Sequence, residues 1–180
     1  YNHWADVTDI VKAKIDAAAA GLVDFTITET STFSVDGEIL AVIFDDPNQT
    51  TTNTIVLLFG AQDISGDTFA IGLAEPIDKS DSNLVLDLSL GISYGYQPSG
   101  QYSQIDVNGT RMTSSAGGQD DGEGANGALL TVGGIGDSND NPADPYATDS
   151  GGPRTDDELY DLLPFVNDGD TSIDVFTINP

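Results

Sequence analysis

Of the 30 acidic residues in this chain of 180, 25 are Asp and only five are Glu, against five Lys+Arg, for a formal net charge of −25. The skew toward Asp constrains the fold more than the charge does. Glu is a good helix former, whereas Asp competes with the helix backbone and prefers caps, turns and loops. Asp set among Gly and Asn in loops is also how proteins build oxygen cages for hard cations. The acid therefore reads as loop chemistry on a β-rich scaffold, calcium-dependent and outside the cell.

The length fits one domain spanning 1–180. The apolar residues come in blocks, such as Ile39-Leu-Ala-Val-Ile-Phe44 and Thr54-Ile-Val-Leu-Leu-Phe59, unlike a disordered acidic tail. With only Lys12, Lys14, Lys79, Arg111 and Arg154 as cations, the chain is no partner for a phosphate backbone or an anionic membrane surface. No stretch approaches the ~18 apolar residues of a membrane-spanning segment, so no membrane insertion is expected. There is no Cys, so disulfides are excluded. No signal peptide is visible, and a start at Tyr1 with a stop at Pro180 reads as a processed or incomplete chain.

The first helix is predicted from Thr8 to Gly21, capped by Thr8 or Asp9, with Ile10, Val11, Ile15 and Ala18 on one face. β signals then dominate. Residues 22–28 alternate apolar and polar. The runs 39–44 and 55–59 are nearly continuous in apolar residues, as in strands buried on both faces or in a sandwich core. Further strands are predicted at 67–73, 84–92, 102–107, 128–132 and 171–178. In the last, Ile173, Val175 and Thr177 share one face. Asp36-Gly37 and Asn108-Gly109 are hairpin dipeptides. Thr155-Asp-Asp-Glu158 forms a capping box before a short helix carrying Leu159, Leu162 and Leu163, stopped at Pro164. The expectation is a mostly β chain, a β-sandwich or jelly roll of eight short strands with two short helices.

From 117 to 152 Gly, Asp, Asn and Ser dominate, a long acidic loop too large to be passive in a compact domain. Within it Asp137, Asn139 and Asn141 alternate as in the first half of a calcium loop, with Asp144 after them. It is not an EF-hand: Pro142 stands where Gly is required, and no Glu closes the loop. Asp120, Asp121 and Glu123 form a second oxygen cluster able to share an ion with the first. The competing reading of each is a solvated loop of Asx-turns or an acidic hairpin tip. Calcium is the expected ion.

Signals for catalysis are poor. Gly91-Ile-Ser93-Tyr-Gly95 matches the nucleophile-elbow spacing, but Tyr96-Gln-Pro98 follows where a helix is required, and the single His3 lies near a terminus. Thirty acids make carboxylate pairs unavoidable and so uninformative. No enzyme activity is expected. Trp4, Tyr94, Tyr96, Tyr102 and Tyr146 can form a sugar-stacking platform, although packing is the commoner fate of aromatics. Asn48-Gln-Thr50 and Asn108-Gly-Thr110 are N-glycosylation sequons in predicted loops.

Two stretches carry a resemblance. The first is Trp4-Ala-Asp-Val-Thr-Asp-Ile-Val11 followed by Ser34-Val-Asp-Gly-Glu-Ile-Leu-Ala-Val-Ile-Phe-Asp-Asp46. The second is Ala128-Leu-Leu-Thr-Val-Gly-Gly-Ile-Gly-Asp137 with Arg154-Thr-Asp-Asp-Glu-Leu-Tyr-Asp-Leu-Leu-Pro-Phe165. Together they resemble a β-sandwich domain family of unknown function in secreted prokaryotic surface proteins. The resemblance implies an exported, surface-associated domain, with strands often preceding the Trp4 segment and following Pro180; it carries no catalytic residues over. The expected function is an extracellular structural subunit of a filament or surface layer, stabilised by calcium, with copies of itself as partners through strand sharing. The candidate donor is 171–178, whose competing reading is that it simply completes its own sheet, or equally the segment around Tyr1–Trp4. The alternative is a calcium-dependent carbohydrate-binding domain with glycans as partners.

Overall fold

A computed structural model describes residues 3–28, 30, 39–90, 104–113 and 159–178. The predicted strand 128–132, the hairpin dipeptide Asp36-Gly37 and the long loop 117–152 lie outside the described residues. Among the described residues the architecture is β-rich and antiparallel, with one α-helix.

Helix α1 runs over Thr8–Ala17, shorter than the predicted span. Its N-cap is Val7, whose side chain caps nothing; Asp6 Oδ1 instead accepts the Thr8 N–H at 2.9 Å. The helix ends early, with Ala18 already extended. Of the expected apolar face only Val11 is buried, and Ile10 is 71% exposed.

Six strands follow: β1 (Asp67–Gly72), β2 (Asp87–Ser89), β3 (Gln104–Val107), β4 (Thr110–Thr113), β5 (Leu159–Asp161) and β6 (Ser172–Ile178). They form a four-stranded sheet ordered β1-β6-β3-β4 and a two-stranded sheet β2-β5. The alternation of β6 produces its position: Ile173 and Val175 are buried on one face, and both edges are paired within the chain, to β1 and β3. The C-terminal run therefore completes its own sheet, the other outcome weighed for it, and is not left over for donation.

β3 and β4 close as a hairpin through Asn108-Gly109, where both residues take positive φ, 49° and 75°. That conformation is the one an Asn-Gly turn of type I′ requires. One extra residue, Met112, is accommodated where the register shifts opposite Ile105/Asp106, and its side chain is buried. The Asn108 side chain ties the turn down. Its Oδ1 accepts the Asp174 N–H at 2.9 Å and its Nδ2 donates to the Phe165 carbonyl at 3.0 Å, while its backbone N–H donates to the Asp174 carbonyl at 2.8 Å. Asn108→Ala removes both side-chain bonds and leaves a β-carbon residue at positive φ. It is expected to cost about 1–3 kcal/mol, read as a lowered denaturant midpoint at unchanged m-value.

The capping box Thr155–Glu158 lies outside the described residues, and from Leu159 on the second predicted helix is replaced by other structure. Leu159–Asp161 is strand β5, and only a 3₁₀ turn, η1 (Leu163–Phe165), follows. The reason is the period of burial. Tyr160 and Leu162 are both buried, two residues apart, which is strand spacing. Asp161 Oδ1 then accepts the Leu163 N–H at 2.8 Å and Pro164 sits inside the turn, so the leucines cannot wind into an α-helix.

Both sheets feed one core. Ile105, Val107, Met112, Ile173 and Val175 from the larger sheet meet Tyr160 from the smaller, with Ile77, Leu162 and Val166 from the connections and Leu84, Leu86, Leu88 and Leu90 packed against them. Lys79 locks two connections together. Its Nζ donates to the carbonyls of Leu163 and Val166 at 2.9 and 3.0 Å, and its N–H to Asp168 Oδ1 at 3.0 Å.

Residues 22–28, 39–44 and 55–59 do not enter either sheet. The expectation that the last two are buried strands is overturned within the single chain: their side chains are exposed. Only the centre of the predicted 84–92 strand, β2, joins a ladder among the described residues.

Candidate functional site

The proposed calcium ligands Asp137, Asn139, Asn141 and Asp144, and the cluster Asp120, Asp121 and Glu123, all lie outside the described residues. So do Ser93, Tyr94, Tyr96, Tyr102 and Tyr146. Among the described residues, no group of three or more metal-ligating side chains comes together.

What the described Asp residues do is local. Asp6, Asp46, Asp63, Asp78, Asp81 and Asp161 each accept the N–H of the residue two further on, at 2.8–2.9 Å. These are Asx-turns, open to Asp and too short for Glu. Hydrogen bonds from Thr8, Ser65 and Ser80 hold the carboxyls of Asp6, Asp63 and Asp78 below the usual range. A lowered folded-state pKa stabilises the fold above the unfolded value of 3.8, and that contribution is lost as the pH falls through the folded pKa.

Asp87 behaves in the opposite way. It stands directly across the β2–β5 ladder from Asp161. Partial burial, and then the Asp161 charge, push its carboxyl up from 3.8. A raised pKa means that the folded chain holds this proton more tightly than the unfolded one. The resulting stability is fully present below 3.8 and is lost as the pH rises through the folded pKa. Asp87→Asn is therefore expected to stabilise at neutral pH, by roughly 0.2–1 kcal/mol for a like-charge cross-strand pair and toward the low end because solvent screens it. Thermal melts at pH 3 and pH 7 check this: the gain should be present at pH 7 and shrink at pH 3.

The most unusual surface is apolar. Ile39, Val42, Ile43 and Phe44 are 38–70% exposed, and Ile55, Val56, Leu57, Leu58 and Phe59 are 49–65% exposed. The side chains of a strand alternate between its two faces, so five consecutive apolar residues give apolar character to both faces of 55–59. That is the composition of a central strand, not of a surface loop. Full burial of such a residue is worth about 1.5–3 kcal/mol, so nine side chains left about half exposed withhold on the order of 10 kcal/mol. That is comparable to the whole stability of a domain. The sequence marks both runs clearly; what it does not reveal is that their own sheets leave them outside.

Among the described residues the cations offer no counterpart patch. Lys12 pairs with Asp16, Lys14 lies 4.9 Å from the Phe25 ring centroid and donates to the Asp24 carbonyl, Lys79 is held by carbonyls, and Arg111 pairs with Asp106 across the β3–β4 hairpin. Among the sequons, Asn48 is exposed in a turn, its Nδ2 donating to Asp46 Oδ1 at 3.0 Å, while Asn108 is engaged as described. Trp4 is 78% exposed. No helix among the described residues is long and apolar enough to cross a membrane. In comparisons with known proteins, the chain matches no family model, no curated protein and no solved structure.

Proposed function

We propose that this chain is a non-catalytic structural subunit of an extracellular filament or surface layer, built as a β-sandwich or jelly roll that assembles with copies of itself. The observation that carries the reading is the exposure of 39–44 and 55–59, two runs whose composition demands burial. Monomers seldom leave such surface open unless it has a partner. The charge of −25 supports it as well: like-charged subunits stay dispersed until salt or divalent cations screen them. Calcium held by the 117–152 loop is part of the proposal. Purified protein titrated with calcium should form regular polymers in electron micrographs. Amorphous aggregate, or monomer at every concentration, contradicts the reading.

The calcium component has its own test. A ligand that binds only the folded state stabilises it by ~2.7 kcal/mol at a hundredfold excess over its dissociation constant. Chelation should lower the melting temperature at moderate salt, and Asp137→Ala should reduce that calcium dependence. An unchanged melting temperature excludes the ion. Broad esterase and glycosidase screens should be blank. The exposed Trp4 favours one second reading, a calcium-dependent glycan-binding domain. Saturable binding to a glycan array, abolished by chelator and by Trp4→Ala, selects it.

A further inference from the structure

Both edges of the four-stranded sheet, β4 and β1, lack an outer neighbour among the described residues, but they differ in burial. At the β4 edge Met112 is 3% exposed, and in the interior Ile105, Val107, Ile173 and Val175 are 0–4% exposed. On β1 the same face carries Phe69 and Ile71, in register with Val175 and Ile173, yet both are only half-buried. Burial thus falls off toward β1, which has no neighbour on its outer side among the described residues. An exposed edge of this kind templates pairing with another strand.

The chain's own run 55–59 is close in sequence, but the connection leads it elsewhere. Gln62 Nε2 donates to Thr177 Oγ1 on β6 at 2.7 Å, and the Asp63 N–H donates to Asp67 Oδ2 at 2.6 Å. Gly66 lies so close to β6 that an added Cβ would stand 2.6 Å from the Phe176 ring and 2.8 Å from the Thr177 carbonyl. The chain therefore enters β1 from the β6 side, away from the open edge.

We infer that run 55–59 of one copy pairs with the outer edge of β1, unpaired among the described residues, in a second copy, as the fifth strand of its sheet. This rests on the self-assembly reading above and names its contact. Length matches: five apolar residues face the six of β1. Chemistry matches: alternate side chains of the added strand cover the open flank of Phe69 and Ile71, and the others pass over Thr68, Ala70 and Gly72, which are small. The five side chains of 55–59, about half exposed, bring roughly 400 Å² to this contact, about half of the ~800 Å² that each partner gives a stable interface, with the main-chain ladder in addition.

The absence of Cys makes the test clean. Single variants Leu57→Cys and Leu58→Cys, isotopically labelled, are each mixed with unlabelled Ala70→Cys and oxidised under assembly conditions. A mass-identified heterodimer, formed severalfold faster than with a control cysteine on α1 at Lys12, is the expected result. The double variant Leu57→Cys/Ala70→Cys closing only within one chain overturns the inference, because the run then returns to its own sheet. Assembly by sedimentation without any heterodimer overturns it while leaving the self-assembly reading intact. A chain that stays monomeric throughout overturns both.

Discussion

Gly66→Ala should cost about 2–4 kcal/mol and lower the melting temperature by several degrees or more. The residue sits at φ +87°, a conformation L side chains rarely adopt, and that strain alone is worth about 1–2 kcal/mol. The rest comes from contact. A methyl group there meets the Phe176 ring at 2.6 Å and the Thr177 carbonyl at 2.8 Å. The ring can turn, but the carbonyl belongs to the β1–β6 ladder and cannot move without breaking pairs. The Gly66 N–H donates to the Asp63 carbonyl, so the strain falls on the turn that starts the sheet. Gly72→Ala is the control: no atom lies within 4 Å of its added Cβ and its φ is ordinary. Its effect should stay within about 0.5 kcal/mol. Equal losses at the two glycines would contradict the placement of β1 against β6.

Ile55→Asp/Leu57→Asp should leave the monomer's melting temperature nearly unchanged and abolish assembly. Both side chains are mostly solvated in the single chain, at 58% and 65% exposed, so little native burial is lost. In an assembly the same positions lose about 1–2 kcal/mol of further apolar burial each and place two more carboxylates in a desolvated contact. Every 1.4 kcal/mol is a factor of ten in affinity, so the concentration needed for assembly should rise about a hundredfold or more. Val85→Asp, at another exposed apolar position, is the comparison and should assemble normally.

Parts of this structure were legible from local chemistry. Asn108-Gly109 specifies its hairpin because few other dipeptides accept two positive φ values. The alternation of Ile173 and Val175 fixes β6 and its buried face. The Asp residues mark turns among the described residues, where Asp63, Asp78 and Asp81 each close an Asx-turn. Other parts depend on partners far away in sequence. Leu159, Leu162 and Leu163 read as one side of a helix; that Leu159–Asp161 is a strand instead is decided by pairing with β2, some 70 residues earlier. The runs 39–44 and 55–59 announce burial, but nothing local states which sheet, or which copy, supplies it. The proposed cation ligands from Asp120 to Asp144 rest on spacing alone.

Amide hydrogen exchange over 39–44 and 55–59, followed in dispersed and in assembled protein, tests the central claim most directly. The account predicts fast exchange of both runs in the monomer, beside slow exchange in β3 and β6. On assembly, residues 55–59 should become protected to the level of those central strands. Protection already present in the monomer, or none gained in the assembled material, would contradict it.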